Sequence, residues 1–180
     1  MAAWLWVAGS AGVARARDFI SRIEELDHIP AVHPDFAVPN DPGLLFYVQR
    51  SSNANTVVYV ARPDHPDAPV AAYWRLFNTD GHARELNLAE RLLVYGVGVH
   101  ATGSALRFNV RALPERELTL APDANGRPAA WTRFAGRPVR LVYVYVQVDE
   151  HGLVPSVPWL DLFGVDQSTG RALREHLVPR

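Results

Sequence analysis

The side chains best suited to chemistry fall in two clusters. The first lies in the run Phe46-Tyr47-Val48-Gln49-Arg50-Ser51-Ser52-Asn53-Ala54-Asn55-Thr56-Val57-Val58-Tyr59. Between its apolar halves is a six-residue connection, Arg50 to Asn55, holding an arginine, two serines and two asparagines. Asparagine side chains close Asx-turns on their own loop, and an arginine can bridge carbonyls, so the turn itself uses part of this polarity. The functional reading is a polar rim of Arg50, Ser51, Asn53 and Asn55 that binds an anionic or carbonyl-bearing group. The second cluster is Tyr73-Trp74-Arg75 with Glu90-Arg91 and Tyr95. On a strand, Tyr73 and Arg75 share one face and Trp74 takes the other. Two arginines, a carboxylate and two phenols make either a buried charge network or an acid–base site. Glu90 also has a purely structural role, three residues after an Asn87 N-cap. Arg75 and Arg91 are equally suited to pairing with Glu85 or Glu90.

Other chemistries lack their residues. The chain has no cysteine, which removes disulfides, thiolate metal sites and cysteine nucleophiles together. All 18 basic residues are arginine, which removes lysine Schiff bases and P-loop lysines. His28 and His33 are separated by Pro30, which spoils a helical metal pair. His65, His82 and His151 fall in turns, and His100, in an apolar context, reads as a core histidine. No metal or other cofactor is expected. The run Gly96-Val97-Gly98-Val99-His100-Ala101 has the letters of a dinucleotide site without a strand before it and a helix after it; it reads as a helix C-cap and bend. No G-x-S-x-G elbow occurs. The net charge of -1 argues against a nucleic-acid partner. No apolar run reaches the roughly 20 residues that span a bilayer.

The elements that must position these clusters are mostly strands. At 180 residues and 48% hydrophobic, the chain can bury a core as one domain. Residues 1–16 end in Ala14-Arg15-Ala16 and read as a signal peptide. Residues 17–43 read as an N-terminal helix, capped by Asp18 and carrying Phe19, Ile20, Ile23 and Leu26, followed by a proline-rich extended segment. Residues 44–180 read as a single antiparallel β domain. Its clearest strand is Val139 to Val148, with Val142, Val144, Val146 and Val148 on one face and Leu141, Tyr143, Tyr145 and Gln147 on the other. Apolar groups on both faces place this strand in the interior of a sheet. The fold class expected is mostly β (α+β): an antiparallel β-sandwich or partly closed β-barrel with one or two short helices.

The Phe46–Tyr59 run resembles the opening motif of a bacterial family catalogued as domain-of-unknown-function family 4833. Pro69-Val70, Tyr73-Trp74-Arg75, Glu85-Leu86, Glu90-Arg91 and Tyr95-Gly96-Val97 resemble its middle. Gly164, Asp166, Thr169-Gly170 and Glu175 are similar to its C-terminal end. The resemblance covers about Leu44 to Val178, and departs from the family pattern at Val60-Ala61-Arg62, where an acidic or amide residue is expected. It implies export, to the periplasm or outside the cell, and implies no particular activity.

Taken together, the residues favour an exported, non-catalytic domain that holds a small molecule or an envelope protein near Arg50–Asn55. One alternative is an enzyme with Glu90 or a tyrosine as acid or base and Arg75 or Arg91 stabilising negative charge. Another is a purely structural envelope protein.

Overall fold

β-branched and aromatic runs favour the pleated backbone, and short polar turns fold each run onto its neighbour. The computed structural model describes residues 19–31, 37–102, 105–151 and 156–179. Among them are twelve strands: β1 Phe19–Leu26, β2 Leu44–Arg50, β3 Asn53–Ala61, β4 Val70–Arg75, β5 Ala83–Glu85, β6 Val97–Thr102, β7 Ala105–Val110, β8 Leu113–Pro122, β9 Pro128–Phe134, β10 Arg137–Asp149, β11 Ser156–Asp166 and β12 Ala172–Pro179. A π-helical turn, Glu90–Val94, joins β5 to β6. The chain is therefore mostly β.

Strand β10 organises the sheet. Its 13 residues leave room for two partners along one edge. Its first part pairs with β9 and its later part, Tyr143 to Val146, pairs with β2. The other edge carries β11, then β12 and β1. The path β5-β4-β3-β2-β10-β9-β8-β7-β6 completes one continuous sheet, curled into an open half-barrel. The main core fills the concave side, with Phe46 stacked on Tyr59 and with Phe108, Phe134, Leu162 and Leu173 fully buried. A smaller cluster of Tyr47, Tyr143 and Phe163 packs on the convex side, where the Tyr143 hydroxyl donates to the Pro30 carbonyl at 2.8 Å.

Several expectations need correction. The described strands form one curled sheet, the partly closed alternative, rather than two facing sheets of a sandwich. The predicted helix over Phe19 to Leu26 is strand β1, in full antiparallel register with β12. Phe19 and Ile23, four apart, lie on one side in either conformation, so their spacing does not choose between them. The choice falls to β12, whose edge would otherwise leave its backbone N–H and C=O groups unpaired. Glu24 and Glu25 add ion pairs to Arg174, Arg171 and Arg137. Strand β1, ahead of residue 44, is thus part of the same sheet. It is also not wholly antiparallel, because β2 runs parallel to β10.

Other differences are local. The connection expected over Arg50 to Asn55 shrinks to a turn at Ser51-Ser52, and Asn53 and Asn55 stand on β3. The register of β10 against β11 shifts between Leu141 and Tyr143. This bulge at Val142 moves Leu141 to the concave side with Val144 and Val146, and leaves Val142 beside Tyr143 on the other. The segment after Gly96 is strand β6, on which His100 is exposed. One helical turn is present among the described residues, where one or two helices were expected. The signal-peptide reading lies outside the described residues.

Candidate functional site

The curl leaves a cavity of about 640 Å³ on the concave side. Backbone register explains its lining. One row of neighbouring residues runs Arg84–Trp74–Val57–Val48–Val144–Leu162–Glu175 across β5, β4, β3, β2, β10, β11 and β12. The next row runs Arg50–Val146–Leu160–Leu177. Both rows are aliphatic in the middle; Arg84 and Glu175 end the first, and Arg50 begins the second, which closes on Leu177. The mouth is lined by Ser52 in the β2–β3 turn, Asn53 and Asn55 on β3, Asn78 in the β4–β5 turn, Arg84 on β5, Glu90 in the helical turn and Glu150 after β10.

Arg50 is the principal cation of this mouth. It ends β2 facing the cavity, with its guanidinium 4.8 Å from the Trp74 ring centroid. Among the described residues no carboxylate pairs with it, and its buried Nε has no acceptor. Trp74, 4% exposed, also lacks a hydrogen bond at its indole N–H. That N–H lies toward Glu90 without reaching hydrogen-bond geometry. Tyr95 meets Trp74 edge-on at 5.2 Å, and burial pushes its phenol up while the nearby Arg50 charge opposes the shift.

Glu90 is already engaged. It accepts from Arg84 at 2.9 Å and from the Asn87 N–H at 2.8 Å, while Asn87 Oδ1 accepts the Glu90 N–H at 2.9 Å. This is the reciprocal cap expected from the sequence. Burial acts to raise the Glu90 carboxyl, but Arg84 and the Asn87 N–H outweigh it and hold it below its ordinary value. The group is an anion already hydrogen-bonded through both oxygens.

The remaining residues singled out from sequence divide between two faces. Asn53 and Asn55 line the cavity: Asn53 Oδ1 accepts the Asn55 N–H, and Asn55 Oδ1 accepts the Asn78 N–H. The Asn55 side-chain amide N–H groups make no protein hydrogen bond among the described residues. Ser51 points away and ties the turn to β10, its Oγ accepting the Val148 N–H at 2.9 Å. Tyr73 and Arg75 lie on the convex face, outside the cavity. There Tyr73 donates to Asp41 Oδ1 at 2.6 Å and Arg75 Nε at 2.9 Å, with Arg75 Nη2 adding a further ion pair. Arg91 is exposed, and its nearest carboxylate is Glu85 at 3.8 Å.

Three important residues were not singled out as site residues from sequence. Asp41 lies in the proline-rich segment, and nothing in its spacing points to Tyr73 and Arg75. Arg84 looks like an ordinary turn arginine until Trp74↔Arg84 register places it at the mouth. Arg116 lines the cavity from β8 and reaches Glu175 on β12 with 2.7 Å between Nη2 and Oε2. Alternation along β8 assigns Arg116 to the inner face, but only the curl reveals its partner.

These features define a small half-barrel domain with an aliphatic interior and an arginine-bearing mouth. The chain belongs to the family described as Domain of unknown function (DUF4833), which it matches over residues 46–176. The comparisons with curated proteins and with solved structures found no match.

Proposed function

We propose that this chain is a non-catalytic binding domain for an amphipathic small molecule, with its apolar body in the half-barrel and an anionic head on Arg50. The observation that carries the reading is Arg50: a cation with no carboxylate partner among the described residues, held over Trp74 at the mouth of an aliphatic cavity. Cavities of this size, apolar with a few convergent polar groups, are typical small-molecule sites. Arginine offers a carboxylate paired donors in fixed geometry, and Asn55 adds side-chain N–H groups at the same mouth. The Glu90 carboxyl, held below its ordinary value by Arg84 and the Asn87 N–H, is ionised, which weighs against its use as a general acid.

The test is calorimetric titration of the protein with dodecanoic acid. Saturable one-to-one binding is expected, weakened about ten- to a hundredfold in Arg50→Met, the range set by one lost charge-assisted hydrogen bond. No binding to the native chain overturns the reading and favours a structural role. Export belongs to the same proposal and is tested separately. Expression of the precursor in an exporting host should give a mature mass beginning at Arg17, and retention of Met1 to Ala16 would contradict it.

A further inference from the structure

We infer that the cavity accepts a chain with a polar group at each end: a carboxylate at Arg50 and an uncharged hydrogen-bonding group, a hydroxyl, at Arg116. This inference rests on the binding reading above and names its ligand class.

The concave rows place the two polar points apart on one wall. Arg50 on β2 and Glu175 on β12 are three strand spacings and two residues of register from each other, roughly 16 Å over the sheet. Val144, Val146, Leu160 and Leu162 fill the interval. Arg116 then brings its guanidinium to Glu175 from the opposite wall. An aliphatic trough with a cation at one end and an ion pair at the other does not match a simple apolar tail.

The ion pair is costly where it stands. The Glu175 side chain is 5% exposed and that of Arg116 20%. Replacing such a buried pair with apolar residues is often neutral or stabilising, so closure of the curl alone does not call for it. Its hydrogen bonding is also incomplete. Glu175 Oε1 accepts the Ser21 hydroxyl at 2.7 Å, and Arg116 Nη1 donates to the Arg133 carbonyl at 2.6 Å. Glu175 Oε2 lies 2.7 Å from Arg116 without a hydrogen bond of good geometry. Arg116 therefore keeps N–H groups without an acceptor among the described residues, and it lines the cavity.

Charge fixes which group goes where. Arg50 has no acidic partner among the described residues and attracts an anion. At Arg116 the positive charge is cancelled by Glu175, so a second carboxylate would meet repulsion from Glu175. A hydroxyl accepts from Arg116 without that penalty.

The experiment is titration of the full chain with three probes: dodecanoic acid, 12-hydroxydodecanoic acid and dodecanedioic acid. The hydroxy acid should bind about tenfold more tightly than dodecanoic acid, and the diacid more weakly than either. In Glu175→Gln, which exposes the Arg116 charge, the order should invert and the diacid should bind most tightly. A merely structural ion pair predicts no such inversion. Equal affinity for the first two acids, or preference of the native chain for the diacid, overturns this inference while the binding reading stands. If none of the three binds, the binding reading falls and this inference with it. Should Glu175→Gln fail to fold, the order of the three acids on the native chain decides alone.

Discussion

Replacing Asp41 with alanine should destabilise the protein by roughly 2–3 kcal/mol. The Asp41 side chain is only 3% exposed and collects the Tyr73 hydroxyl, Arg75 Nε and Arg75 Nη2. Its removal leaves a phenol and a guanidinium without their acceptor and releases the segment before β2 from β4. Breaking a fully buried pair costs about 3–5 kcal/mol. The Arg75 side chain is 30% exposed and keeps the Gly81 carbonyl at 3.1 Å, so water and that carbonyl recover part of the loss. Asp41→Asn keeps an acceptor for Tyr73 and should lose about half as much. Urea unfolding measures both: the midpoint should fall with the slope unchanged. The effect also has a pH signature. Burial acts to raise the Asp41 carboxyl, but Arg75 and Tyr73 outweigh it and hold it below its ordinary value. A depressed carboxylate contributes fully above the unfolded value near pH 4, and the contribution fades as pH falls through that value toward the folded one. The gap between native chain and Asp41→Ala should therefore narrow below about pH 4. A cost under about 0.5 kcal/mol at neutral pH, the range of ordinary surface changes, would show that Asp41 does not hold this network together.

Two other variants follow from the same geometry. Arg50→Met should change stability by less than about 1 kcal/mol in urea unfolding, because the lost Trp74 contact is offset by removal of a buried Nε without an acceptor. A large loss would make Arg50 a scaffold residue. Gly96→Ala should lower stability by about 1–3 kcal/mol or more, since the new Cβ would stand 1.7 Å from the Arg91 carbonyl oxygen. A neutral result in thermal unfolding would contradict the tight turn between the helical turn and β6.

Much of the fold was legible because its signals are local. The Val139–Val148 run, apolar on both faces, does become β10, paired along both edges. The Asn87–Glu90 cap forms as written. What escaped depends on contacts distant in sequence. Phe19 and Ile23 fit either a helix or a strand until β12 offers them an edge. The bulge at Val142 reverses the assignment of Leu141, because period-2 alternation fails when one residue is inserted. At the site, Arg50, Asn53, Asn55 and Glu90 were visible as polar residues crowded near strand ends. Tyr73 and Arg75 were visible for the same reason, yet alternation turns them to the convex face with Asp41. Arg116 and Glu175 are 59 positions apart. Only the curl of the sheet joins them.

If Arg50 receives the head group of a ligand, that ligand lies in the half-barrel. A crystal structure of the protein with dodecanoic acid tests it most directly. The carboxylate should lie within hydrogen-bond distance of the Arg50 guanidinium and the alkyl chain against Val144 and Leu162. An acid seated instead on the exposed leucines in and just before the helical turn, Leu88, Leu92 and Leu93, with the cavity empty, would rule this out.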